Sequence, residues 1–150
     1  MILSFSHVEM LPYIRAGILQ AKGENVGGAR VKRQTIRRWG PQAERIMDWP
    51  SPVFPYRLSL WWKSRTKERE FLDVFEAECV QANTVLIEHA KDGRIWIVLG
   101  AQRQITWHPE QGDNGLSDFA YADGFDSPEA FRDFFVPEPG DVFKGVLYKW

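Results

Sequence analysis

Thr84-Val85-Leu86-Ile87-Glu88-His89-Ala90-Lys91-Asp92-Gly93-Arg94-Ile95-Trp96-Ile97-Val98-Leu99 is the stretch that decides the fold class. Two runs rich in β-branched and aliphatic residues, 84–89 and 94–99, flank Lys91-Asp92-Gly93. An Asp-Gly pair between such runs marks a β-hairpin, because glycine accepts the positive φ that a tight turn demands. Working outward, 102–107 reads as a strand turning back after Gly100, and 71–80 alternates as a strand with one wet face. Leu58–Trp62, Gln34–Arg38 and Ile2–Phe5 add three more short strands, and 142–150 closes the set with Val142, Val146 and Tyr148 on one face.

Helices are few. Ser6-His7-Val8-Glu9 has the form of a capping box opening a helix that should run to about Ala16 and stop near Gly17, with Met10, Leu11, Ile14 and Ile18 as its apolar stripe. A short helix is expected at 43–47, between Pro41 and the break made by Pro50, Pro52 and Pro55. Residues 20–31, with Gly23, Gly27 and Gly28, read as a loop, and 117–122 as one or two helical turns. Asp126-Ser127-Pro128-Glu129 starts a firmer helix, since it offers cap oxygens, an early proline and a first-turn acid. Its core face is expected to be Ala130, Phe131, Phe134 and Phe135. Many short strands with two or three helices favour an α+β closed sheet over a doubly wound parallel one.

At 150 residues and 44% hydrophobic, the chain has the size and apolar content of one domain spanning 1–150. The lone Cys79 cannot form an intramolecular disulfide and reads as a small buried residue of its strand, which fits a reducing, cytoplasmic setting. The opening residues lack a basic leader, and no apolar run approaches the length of a membrane span, so neither a signal peptide nor a membrane partner is expected. His7, His89 and His108 are too scattered for a metal motif, and no cofactor fingerprint is present.

The net charge of −1 conceals an asymmetry, for residues 1–75 carry thirteen Lys/Arg against seven Asp/Glu and residues 76–150 carry six against thirteen. Arg30, Lys32, Arg33, Arg37 and Arg38 crowd nine positions without an acid, and Thr35 and Trp39 are interleaved. A solvated face explains such a run; so does a site where cations hold phosphates and a ring stacks on a base. On a regular strand Thr35 and Arg37 share a face and Lys32 falls on the other, so Lys32 joins them only from just before the strand or from a bulge. In that position neighbouring guanidiniums would lower its pKa and make a neutral amine available as a base. Among the acids of the second half, Asp118, Asp123 and Asp126 precede the last helix, and Asp123-Gly124-Phe125 stands out because glycine permits a sharp turn beside the carboxylate.

Ile2-Leu3-Ser4-Phe5, Lys32-Arg33-Gln34-Thr35-Ile36-Arg37, Leu60-Trp61-Trp62, Ala122-Asp123-Gly124-Phe125 and the last strand, in that order, resemble the ASCH family of small domains. The resemblance implies a PUA-like mixed β-barrel with two or three flanking helices and a cleft for RNA or a nucleotide. Some small ASCH proteins are amidohydrolases that remove the acetyl group of acetylcytidine with a Lys, a Thr three residues later and a downstream Glu. Lys32 and Thr35 match that spacing, and Asp123 stands nearest the acid position, with Asp in place of Glu. The primary expectation is therefore an RNA- or nucleotide-binding domain with a cleft around Lys32, Thr35 and Arg37, where Arg30, Arg33, Arg38 and Trp39 assist. The alternative is an acyl-cytidine amidohydrolase with Lys32 as base, Thr35 as nucleophile and Asp123 as acid; ribonuclease activity is a third reading.

Overall fold

The computed structural model describes residues 1–41, 43–44, 57–100 and 103–150. Its strands are β1 (Ile2–Phe5), β2 (Gln34–Arg38), β3 (Leu58–Trp62), β4 (Glu70–Phe75), β5 (Gln81–His89), β6 (Ile95–Leu99), β7 (Arg103–His108), β8 (Gly112–Asn114) and β9 (Val142–Lys149). Among the described residues they are accompanied by the helices α1 (Leu11–Ala21), α2 (Leu116–Ala122) and α3 (Pro128–Phe135). The class is α+β, as expected. Among the described residues the strands pair as two sheets rather than one ring, a three-stranded β1-β3-β4 and a six-stranded β2-β9-β5-β6-β7-β8. Among the described residues the β1–β3 strand pair is parallel and the other strand pairs are antiparallel, with one isolated parallel bridge between Thr106 and Gly115.

The deciding hairpin forms as read. Val85 to His89 pair with Leu99 to Ile95, Gly93 turns with φ +86, and the Asp92 carboxylate accepts the Arg94 N–H at 3.0 Å. The expected strand at 71–80 is shorter: β4 ends at Phe75, and Ala77–Cys79 makes a 3₁₀ turn that leaves Cys79 exposed, not buried. The expected short helix at 43–47 lies mostly outside the described residues.

Two corrections concern the first helix. Ser6 and Glu9 form no capping box: Val8–Met10 is a 3₁₀ turn with no side-chain cap, and α1 starts at Leu11 with Pro12 in its first turn, where a missing N–H does no harm. Nor does Gly17 end the helix. It sits in the middle of α1, and a Cβ built on it would lie 2.1 Å from the Lys32 carbonyl oxygen. The glycine is there for close approach of another segment, not as a stop.

In α3 the Ser127 hydroxyl caps the helix by accepting the Ala130 N–H at 3.2 Å, as the sequence implied. Its core face is narrower than expected. Phe131 is fully buried and Phe135 partly so, whereas Ala130 and Phe134 are exposed. Val142 is likewise exposed while Val146 and Tyr148 are buried.

Two hydrophobic clusters result. One joins β1, α1 and β3 through Phe5, Ile14, Leu58 and Leu60; the other joins the β5–β7 strands to α2 and α3 through Ile87, Ile97, Phe119 and Phe131. β9 serves both, since Val146 and Tyr148 enter the first cluster and Phe143 and Leu147 the second, as the two-residue period of a strand requires. Each fully buried side chain of this size stabilises the fold by about 1.5–3 kcal/mol relative to exposure. Among the described residues no helix is long and apolar enough to cross a membrane.

Candidate functional site

β2 lies at an edge of the larger sheet, and this edge position creates the site. The Trp39 N–H donates to the Lys144 carbonyl and the Trp150 N–H to the Arg33 carbonyl, so odd-numbered residues of this segment face β9 with their backbone. The even-numbered Ile36 turns its N–H the other way, toward the carboxylate of Asp123.

Asp123 is fixed by the end of α2. The Gly124 N–H donates to the Tyr121 carbonyl at 3.0 Å and the Phe125 N–H to the Ala120 carbonyl at 2.9 Å, while Gly124 holds φ +98. This paired arrangement is a Schellman cap, which needs a left-handed residue and thus explains the glycine. Lys32 reaches Asp123 from two residues before β2, the position outside the strand that its joining Thr35 and Arg37 required. Its backbone N–H is tied to the Tyr13 carbonyl of α1 at 2.8 Å, and its peptide rests on Gly17. The Lys32 Nζ donates to the Asp123 main-chain carbonyl and, at 3.0 Å, to Oδ1. Both residues are buried, at 2% and 3% exposure.

Thr35 is buried on the same wall, and Arg37, two positions on, donates from Nη2 to the Ser4 carbonyl at 2.7 Å with its guanidinium 5.2 Å from the Phe5 ring centre. Lys32, Thr35, Arg37 and Asp123 all line one cavity of about 280 Å³, near the lower end of small-molecule sites. Part of its lining is aromatic. Phe125, Phe134 and Phe135 form a mutually contacting set with ring centres 4.9–5.7 Å apart, and Phe134 is 62% exposed.

Burial dominates the electrostatics. Desolvation pushes the Asp123 carboxyl up to about 6, against the opposing pull of Lys32, Arg37 and the Ile36 N–H. Desolvation also lowers the Lys32 ammonium below its ordinary value, opposed by Asp123 and reinforced by Arg37 and Arg30. The two shifts converge, so the neutral amine–carboxylic acid pair lies closer in energy to the ion pair than it would in water. With both groups ionised, Lys32 and Arg37 outweigh Asp123 by one positive charge, a setting suited to developing or resident negative charge.

The rest of the basic run has other tasks. Arg30 bonds the Asp126 carboxylate and, at 2.6 Å, the Phe125 carbonyl, with its guanidinium between the Tyr13 and Tyr121 rings. Arg33 donates to the Trp150 carbonyl at 2.8 Å. Arg38 lies over Phe143, and Trp39 packs on the first core beneath the Lys144 ammonium. None of these four lines the cavity. Asp118 is exposed on the first turn of α2. Among the described residues no group of three or more metal-ligating side chains occurs; His7 lines the cavity, whereas His89 is bound to the Val136 carbonyl and His108 to that of Asp92.

The expected stacking ring is Trp39 or another cleft aromatic; Trp39 does not line the cavity, whereas Phe134 and Phe135, expected as core residues, do. The available signal was the run Phe131-Arg132-Asp133-Phe134-Phe135, which places more aromatic surface on a short amphipathic helix than one face can bury. No protein-family model, no curated protein and no solved structure matches this chain.

Proposed function

We propose that the chain is an ASCH-type domain of PUA-like plan that hydrolyses an acyl-amide on the exocyclic amine of a cytosine-type nucleoside. The observation that carries the reading is the buried Lys32–Asp123 pair on the wall of the cavity that Thr35 and Arg37 also line. The neutral Lys32 amine takes the Thr35 hydroxyl proton as the oxygen attacks the acyl carbon. Arg37 stabilises the oxyanion, and Asp123 holds Lys32 in place and balances its charge. Collapse expels the exocyclic amine with a proton returned to it, and water then releases the acyl group from Thr35 as a carboxylic acid. The aromatic wall supplies a stacking surface for the base. Barrel-like wrapping of the two sheets belongs to the same proposal, and the double-sided role of β9 supports it.

The assay follows absorbance on a panel of N4-acylated cytidines. Turnover is expected in the native chain, loss of at least about a hundredfold in Lys32→Ala and Thr35→Ala, and partial retention in Thr35→Ser. Absence of turnover across the panel, or turnover surviving both alanine variants, overturns the proposal. One observation favours a second reading as a binding domain without chemistry. Lys32 Nζ donates to two acceptors of Asp123, which suits a fixed structural cation. Saturable binding of cytidine without turnover of any acylated form would select it.

A further inference from the structure

Arg37 and Ser4 also line a larger groove of about 860 Å³, completed by Ile2, Leu3, Ser64 and Arg65. The loop joining β3 to β4 reads Lys63-Ser64-Arg65-Thr66-Lys67-Glu68-Arg69, four cations against one acid. Only Lys63 is neutralised within it, by Glu68, and among the described residues Arg65, Lys67 and Arg69 are exposed and make no ion pair. The loop is nonetheless firmly placed. The Lys63 N–H donates to the Phe5 carbonyl at 2.8 Å, the Ser64 N–H to the Ser4 hydroxyl at 3.0 Å, and the Thr66 N–H to the Lys63 carbonyl at 2.9 Å. Unpaired cations on an anchored turn, next to an arginine shared with the cavity, make an electropositive exit from it.

We infer that this groove is a phosphate subsite, so that the ligand class of the cavity is a phosphorylated nucleotide and not a free nucleoside. The inference rests on the reading that a pyrimidine nucleoside occupies the cavity. Arg37 reaches both spaces, and its planar fork, with one Nη2 donor engaged by Ser4, retains donors for a phosphate oxygen. Arg65, which also lines the groove, supplies the second cation. Either a monophosphate or a phosphodiester linkage within a short RNA presents the chemistry that the groove recognises.

Calorimetric titration with cytidine, cytidine 5′-monophosphate, cytidine 3′-monophosphate and a cytidine-centred trinucleotide separates the cases. At least one phosphorylated ligand is expected to bind about tenfold tighter than cytidine at low salt, with the advantage shrinking as salt screens it. The Arg65→Ala/Lys67→Ala variant should lose most of that advantage while binding cytidine as before. Preference for the trinucleotide over both monophosphates assigns the groove to a chain, and the reverse assigns it to a free nucleotide. Equal binding of cytidine and all phosphorylated forms, or equal weakening of all by the variant, overturns the inference. Should cytidine itself not bind, inorganic phosphate decides by NMR. Phosphate-dependent shifts of the Ser64 and Arg65 amides, absent in the variant, uphold the anion groove while the nucleoside reading falls, and no shift refutes both.

Discussion

Replacing Gly17 by alanine pits two effects of opposite sign against each other. In an exposed helix interior the change would stabilise by about 1 kcal/mol, because alanine is the better helix former. Here the new methyl would stand 2.1 Å from the Lys32 carbonyl oxygen, 2.8 Å from its carbonyl carbon and 3.2 Å from the Arg33 Cγ. The first two are backbone atoms that no rotamer change can move aside, so α1 and the segment before β2 must separate by about 1 Å or more to restore ordinary contact. Overpacking of this kind costs about 1–3 kcal/mol, and the rigid neighbours place this case in the upper part of that range. The expected net loss is about 1–2 kcal/mol, or roughly 2–8 °C in melting temperature for a domain of this size. The separation also drags Lys32 from Asp123, so cavity ligands should bind more weakly. Urea unfolding and thermal melting of Gly17→Ala measure the effect, with Gly28→Ala as control, where a methyl meets nothing within 4 Å. A Gly17→Ala protein as stable as the native chain, with ligand binding intact, would refute the steric reasoning.

Other consequences can be measured separately. Because the Asp123 carboxyl is raised from 3.8 to about 6 in the folded state, its share of stability is full below its unfolded value and is lost as pH rises through about 6. The stability of the native chain relative to Asp123→Asn should therefore fall between pH 4 and 7, and a pH-independent difference in urea titrations would contradict the burial argument. Arg30→Ala should cost about 1–3 kcal/mol, since it leaves the Phe125 carbonyl without its guanidinium donor and empties the space between two tyrosines, while Arg38→Ala on the exposed side should cost under about 1 kcal/mol. Equal costs by chemical denaturation would mean that the basic run is energetically uniform. Ser127→Ala should remove about 1 kcal/mol through the lost α3 cap, and restoration by Asp but not by Val at 127 checks that the cap is responsible.

Where local chemistry alone dictates structure, the sequence was a sufficient guide. The Asp92-Gly93 hairpin, the Ser127 cap and the bounds of β2 each follow from a few adjacent residues, and the required position of Lys32 follows from the alternation of a strand. Where a residue answers to a distant partner, local reading misled. Gly17 resembles a helix stop until the Lys32 peptide is laid across it, and the Ser6–Glu9 spacing resembles a capping box until the chain enters α1 by a 3₁₀ turn. Arg30, Arg33, Arg37 and Arg38 look equivalent in a row, but contacts with Asp126, Trp150, Ser4 and Phe143 divide them. The convergence of Lys32 on Asp123 spans 91 positions, and the residues alone offered only its stereochemical plausibility.

The double duty of β9 has a consequence for biosynthesis. On a ribosome, residues 34–38 emerge more than a hundred positions before residues 142–149, their one strand partner among the described residues. At about 5–20 residues per second, that leaves several seconds in which Thr35 and Arg37 exist without the strand that positions them. β5 waits as well, since one of its two neighbours is the same late segment. A nascent chain cut short before residue 142 would thus expose the edges of β2 and β5 together and hold no assembled cavity, making a prematurely terminated product both inactive and a ready target for chaperones or proteases.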